Sequence, residues 1–248
     1  MKKIITCILF AYTFNVFASN PIVNIPDANF KAALISKGVD TNNDKEIQVS
    51  EAEAIKNLGV NSKSISDLTG IEAFINLTEL ACSGNQLTSL DVTQNTALTK
   101  LICSRNQLTS LDVTQNTALT YLDCNINQLT SLDVSKNILL SEFSCFNNQL
   151  TNLDVTQNTA LTRLDCNVNQ ITTICVNANQ DKSTWNKDAI TQYSTTCDII
   201  TSTESQINNT TTIIKAYNLQ GREVPTNTTG ELIILLYDNG KTEKVFND

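Results

Sequence analysis

The sequence predicts an α/β-type repeat protein, mostly β and coil. It reads as a right-handed solenoid with a parallel sheet, a helical N-terminal cap and a small β appendage at the C-terminus. Three observations carry this reading. Cys82, Cys103, Cys124, Cys145 and Cys166 fall at intervals of 21 residues, inside copies of one phrase such as LTELACSGNQLTSLDVTQNTA from Leu77. A fixed period in this range marks a stacked solenoid. The chain is acidic and carries no histidine: 17 basic side chains stand against 25 acidic ones. That balance argues against a nucleic-acid partner, which needs clustered Lys and Arg, and it removes the commonest general base and zinc ligand.

Residues 1–18 read as an export signal. Lys2 and Lys3 precede the apolar run Ile4 to Phe17, and Val16-Phe17-Ala18 offers a small-residue cleavage site before Ser19. The run is shorter than the roughly 20 residues a membrane span needs, and no other stretch of the chain is apolar enough for one. The expected product is secreted or held at the outer cell surface.

Residues 19–54 are expected to cap the solenoid. Asp27 can cap a helix whose apolar positions are Phe30, Leu34 and Ile35. Within the cap, DTNNDKEIQVSE counts as an EF-hand-like loop. Asp40, Asn42 and Asp44 take its positions 1, 3 and 5; Glu46 supplies the position-7 carbonyl and Glu51 the bidentate carboxylate of position 12. Lys45 departs from the pattern, standing where the sharp turn prefers glycine. Two readings stay open, a calcium site and a vestigial structural loop; calcium is the one cofactor the sequence suggests.

Residues 55–181 hold about six coils of the pattern LxxLxCxxNQLTxLDVxxNxx, the last degenerate. In one copy Leu77, Leu80, Cys82, Leu87, Leu90 and Val92 are the inward candidates. The L-x-C step has period 2 and predicts a short strand. Asn85, Asn106, Asn127, Asn148 and Asn169 form a second ladder, suited to turns because an amide both donates and accepts. Asn95, Asn116, Asn137 and Asn158 are expected to do the same on the other side of the coil. The motif resembles the leucine-rich repeat, and the cysteine ladder makes the chain similar to internalin J-like bacterial surface proteins. That resemblance implies adhesion to a host, another cell or a matrix.

The ladder cysteines read as packing. A row does not converge tetrahedrally on zinc, and parallel Cβ vectors about 4.8 Å apart exceed disulfide reach. Asp91, Asp112, Asp133 and Asp154 also stack, which requires compensation, expected from loop N–H groups or Thr and Ser hydroxyls.

Cys175 and Cys197 stand outside the cysteine register and bracket CVNANQDKSTWNKDAITQYSTTC. They read as a disulfide stapling a C-terminal cap over 182–199, a closure worth roughly 3 kcal/mol in the chain-entropy model. Residues 200–212 form a polar linker, and 213–248 a β tail with turns at Gly221, Thr229-Gly230 and Asn239-Gly240. The tail, with Tyr217 through Val224 and Gly230 through Val245, resembles the C-terminal sorting domain of the type IX secretion system of Bacteroidota. The Pro-Asn-Pro segment that usually opens such a domain is absent.

Comparing copies within the chain separates scaffold from variable surface. LTSLDVTQN scarcely changes. One variable column reads Glu79, Lys100, Tyr121, Glu142 and Arg163; the next reads Ala81, Ile102, Asp123, Ser144 and Asp165. Phe146 belongs to a third column, and Arg105, Ile126 and Val168 to a fourth. Period 2 points the first two columns outward from the sheet. The expected function is therefore non-catalytic recognition of a protein or glycan by a monomer, through a face containing Lys100, Ile102, Arg105, Tyr121, Asp123, Ile126, Glu142, Phe146 and Arg163. The alternative is a structural, envelope-associated repeat protein without a specific ligand. No nucleophile–base constellation supports an enzyme.

Overall fold

A computed structural model describes residues 20–196 together with the strand segments 213–218, 223–224, 231–237 and 242–247. The expected export signal at 1–18, the expected linker at 200–212, Cys197 and the three expected tail turns lie outside the described residues. The chain divides into two compact units, residues 1–197 and 198–248.

The first unit opens with helix α1 (Ala28–Ser36), whose N-cap Asp27 accepts from the Phe30 N–H at 2.9 Å. Phe30, Ala33 and Leu34 are its buried residues, and Ile35 is half-buried. The other Asp27 oxygen accepts from Ser66 N (2.8 Å), Ser66 Oγ (2.9 Å) and Asp67 N (3.1 Å), tying the cap to the first coil. A short second helix, α2 (Val49–Glu53), starts on a reciprocal capping box between Gln48 and Glu51.

Each coil then contributes one three-residue strand. These are β1 (Asn57–Gly59), β2 (Glu79–Ala81), β3 (Lys100–Ile102), β4 (Tyr121–Asp123) and β5 (Glu142–Ser144). After β6 (Leu153–Asp154), which lies on the other side of the coil, comes β7 (Arg163–Asp165). The order β1-β2-β3-β4-β5-β7 forms one parallel sheet in strict register, with Leu58, Leu80, Leu101, Leu122, Phe143 and Leu164 stacked rung on rung. The middle residue of every strand is buried and its neighbours face outward, as period 2 requires. Fully buried, each such side chain contributes about 2 kcal/mol, and no single coil could bury it alone. A smaller parallel sheet pairs β6 with β8 (Thr173–Cys175) and β9 (Gln192–Ser194). This architecture is a leucine-rich-repeat solenoid of about seven turns.

The seventh turn extends past the cysteine register. Asp165 bridges to Asn186 in parallel, Cys166 N donates to Asn186 O at 2.9 Å, and Thr184 Oγ1 donates to Thr162 O. Trp185, 9% exposed, takes the place of the strand leucine, and its ring meets Tyr193 edge-on at 5.9 Å. The rung is hidden in the sequence because Trp185 and Lys187 replace the Leu and Cys that identify the others.

The strand-side asparagine ladder donates and accepts as expected, whereas the second ladder departs from the expectation and, among the described residues, only donates. Asn127 Nδ2 donates to Cys103 O (3.1 Å) and Cys124 O (3.0 Å), while its Oδ1 accepts from Leu108 N (3.0 Å). On the other side Asn137 Nδ2 donates to Val113 O (3.0 Å) and Asn116 O (2.9 Å). The five ladder cysteines are buried free thiols, and burial pushes Cys82 and Cys166 up to about 12. Asp91 and Asp112 are each served by a threonine two residues on, through both its N–H and its hydroxyl. Asp133 and Asp154 accept from Ser135 N and Thr156 N.

Cys175 is in register after all, but with the aspartates: Asp154 pairs with Cys175 in the β6–β8 ladder. Counting from the cysteines alone obscured this. Cys175 is engaged rather than free, while its expected partner Cys197 lies outside the described residues.

In the second unit β10 (Ile213–Asn218), β11 (Glu223–Val224), β12 (Glu231–Tyr237) and β13 (Thr242–Asn247) form an antiparallel sheet of order β11-β10-β12-β13. These strands lie within the segment read as β from the sequence. Among the described residues no helix is long and apolar enough to cross a membrane.

Candidate functional site

Strand alternation sets Lys100 and Ile102 of β3, Tyr121 and Asp123 of β4, Glu142 of β5 and Arg163 of β7 on the outer face of the six-stranded sheet. Register places Lys100 beside Tyr121, Tyr121 beside Glu142, and Glu142 beside Arg163. Lys100 Nζ lies 5.3 Å from the centroid of the Tyr121 ring, within cation–π range. Arg163 and Glu142 approach to 4.0 Å with both side chains largely in solvent, so this pair adds little to stability. Its effect is to hold alternating charge along a rigid column.

A shallow groove of about 200 Å³ runs between these residues. Tyr121, Asn125, Glu142, Ser144, Arg163 and Asp165 line it, over a floor of Leu122 and Phe143. Burial, and then the nearby carboxylates of Asp123 and Glu142, push the Tyr121 hydroxyl above its ordinary value of 10.0. At neutral pH it is therefore a neutral donor. Asp123 is oriented by Ser104 Oγ (3.1 Å) and Asn125 N (3.1 Å), and Ser144 Oγ donates to Asn125 Oδ1 at 2.8 Å. Lys100 and Ile102 line a second groove of about 180 Å³ with Asn57, Gly59, Glu79 and Ala81.

The groove thus gathers Tyr121, Glu142 and Arg163. Arg105, Ile126 and Phe146 lie beyond the strand ends and do not line it. Arg105 and Ile126 belong to a column with left-handed backbone: Gly84 (φ 68°), Arg105 (56°), Ile126 (54°), Asn147 (54°) and Val168 (55°). A β-branched residue there is strained, and only Gly84 announces the conformation in the sequence. Asn125, Ser144 and Asp165 complete the groove; Ser144 and Asp165 stand in the second column read from the sequence, and Asn125 in the column of Phe146.

At the N-terminal loop, Asn43 (φ 62°) and Lys45 (φ 68°) adopt the left-handed turns an EF-hand-like loop needs. The oxygens of its ligand-type side chains are committed elsewhere. Asp40 accepts from Asp44 N and Lys45 N. Asp44 accepts from Glu46 N, Asn42 Nδ2 and Gln48 Nε2. Glu51 accepts from Thr41 N (2.7 Å), Thr41 Oγ1 (2.6 Å) and Gln48 N (3.0 Å). Glu46 pairs with Lys31 at 2.6 Å. Among the described residues no three acidic, Cys or His side chains converge as a metal cage.

Fold and face together define a leucine-rich-repeat solenoid with a cysteine ladder and a variable, groove-bearing sheet face. Internalin J of Listeria monocytogenes is 38% identical over 71 residues, 29% of this chain and 8% of that protein. The solved functional domain of internalin J, described as including a cysteine ladder, matches with a TM-score of 0.56 and 40% identity, over 64% of this chain and 39% of that one. Another Listeria internalin matches over 68% of this chain and 71% of its own, at 20% identity and a TM-score of 0.42. The chain therefore spans well under half the length of the internalin J sequences it matches. No family model matches.

Proposed function

We propose that this is an exported, non-catalytic binding protein of the bacterial cell surface that recognises a protein or glycan through the outer face of its six-stranded sheet. The groove beside Tyr121 carries this reading: an aromatic ring, a guanidinium and oriented carboxylates share a rigid, partly apolar surface, the composition from which recognition hot spots are built. The likeness to internalin J supports surface display and adhesion. Replacing Tyr121 and Phe146 together with Ala is expected to abolish retention on ligand-bearing cells or matrix while circular dichroism and melting stay unchanged. Undiminished retention would reject this face.

Three further readings belong to the same proposal. The tail serves as a type IX sorting domain, in which case mass measurement of the surface form shows loss of the last few dozen residues; an intact tail on a freely soluble product counts against it. Cys175 pairs with Cys197, so a reducing agent lowers Tm, and an unchanged Tm removes the staple. The N-terminal loop acts as a strut without a resident cation, because its carboxylates already hold amide and backbone donors. Millimolar calcium should then leave Tm unchanged. A rise that Glu51→Gln suppresses would restore the calcium reading.

A further inference from the structure

The second half of each coil carries two exposed ranks that packing does not explain. Glutamine recurs every 21 residues from Gln86 to Gln170, and threonine from Thr88 to Thr172, and all ten are exposed. Between them lies a buried Leu or Ile in each coil, from Leu87 to Ile171. The backbone joins rung to rung: Gln107 N donates to Leu87 O at 2.8 Å, and Gln170 N to Leu150 O at 2.9 Å. The ranks therefore repeat at strand spacing, about 4.8 Å.

Other invariant letters of this half have structural work. The leucines fill the core, the asparagines hold turns, and Thr93 and Thr114 serve Asp91 and Asp112. The side chains of these glutamine and threonine ranks form no hydrogen bond among the described residues. Over the same five coils, the outer column of the sheet face runs Glu79, Lys100, Tyr121, Glu142, Arg163. Over the first four coils the back half departs at Ser135, Lys136, Ile138, Leu139 and Asn152, and through all five the glutamine and threonine ranks do not depart.

We propose that the Gln–Thr ranks form a second binding site, independent of the sheet face, that takes a neutral linear glycan laid along the solenoid axis. The chemistry selects the occupant. The ranks hold no Lys or Arg for phosphates, no Trp, Tyr or Arg to anchor a protein and no apolar band for a lipid surface. What remains is an uncharged array of amides and hydroxyls, each able to donate and accept. Its complement is an uncharged polymer dense in hydroxyls. Each contact is weak because water competes for it, so binding depends on many rungs engaging one chain at once.

The test is electrophoresis of the full chain in native gels containing a soluble neutral glucan, mannan or xylan, with polygalacturonate as the acidic control. At least one neutral polymer should retard the protein and polygalacturonate should not. Replacing Thr109, Thr130 and Thr151 with Glu should weaken retardation at least tenfold with melting preserved, whereas Tyr121→Ala should leave it unchanged. A tetrasaccharide of the same sugar should fail to compete at equal sugar concentration. Absence of retardation by all three neutral polymers overturns the proposal, as does retardation that survives the triple variant or falls with Tyr121→Ala. Competition by the tetrasaccharide overturns lengthwise binding.

Discussion

The strand side and the back of the solenoid use the same residue for the same task and differ in how completely it is bonded. On the strand side, Asn106, Asn127, Asn148 and Asn169 satisfy both ends of the amide: nitrogen on carbonyls of two coils, oxygen on a backbone N–H. On the back, Asn95, Asn116, Asn137 and Asn158 are fully buried and place only the nitrogen; their Oδ1 atoms have no partner among the described residues. A buried acceptor left unpaired is costly. The residue is kept nevertheless, so what the back turn requires is the donor, which ties together carbonyls from successive coils. The strand turn requires both ends.

The largest expected effect tests this directly. Asn127→Ala strands the Leu108 N–H and takes one of two donors from Cys103 O and Cys124 O, a cost of about 3 kcal/mol, whereas Asn137→Ala leaves Val113 O and Asn116 O on their backbone N–H donors and relieves an unpaired oxygen, a cost of about 1 kcal/mol. Urea unfolding of the two variants measures the gap; equal losses would erase the distinction between the ladders. A smaller effect of opposite sign is expected from the strand side alone. Val168 is 51% exposed in a left-handed conformation, φ 55°. Val168→Gly should raise stability by about 1 kcal/mol, since relief of that strain exceeds the added freedom of the unfolded chain. Destabilisation would mean that the valine side chain makes up for its backbone.

The smallest effect belongs to the back. Hydrogen bonds from Thr93 and Thr114 hold the Asp91 and Asp112 carboxyls below their ordinary value of 3.8. A carboxyl that titrates lower folded than unfolded contributes fully above its unfolded value, and that contribution drains away as pH falls through the folded one. The double variant Asp91→Asn, Asp112→Asn should therefore melt slightly below the wild type at pH 7, and the gap should narrow as pH falls below 3.8. A gap that widens in acid would contradict this.

The period-2 step Leu-x-Cys made the strands, their register and the outward columns legible, because stacking forces identical coils into identical places. Three features were hidden for physical reasons. The left-handed column shows only at Gly84; Arg105, Ile126 and Val168 occupy it against their preference because the coils on either side dictate the backbone. The last rung is disguised by Trp185, which keeps the core filled while discarding the motif. Of the groove, Tyr121, Glu142 and Arg163 stood in the column read first, while Asn125 belongs with Phe146 in a column where only the aromatic drew notice.

The row of buried thiols also makes this protein a reporter of its own motions. Thiolate is the species that reacts with alkylating agents, and thiols raised to about 12 at Cys82 and Cys166 carry almost none while shielded. Labelling must wait for the coil to open. Five evenly spaced probes, read by mass spectrometry, then report opening rates coil by coil along a fold whose stability is set by nearest neighbours. If fraying starts from one end, alkylation will follow the order of the rungs.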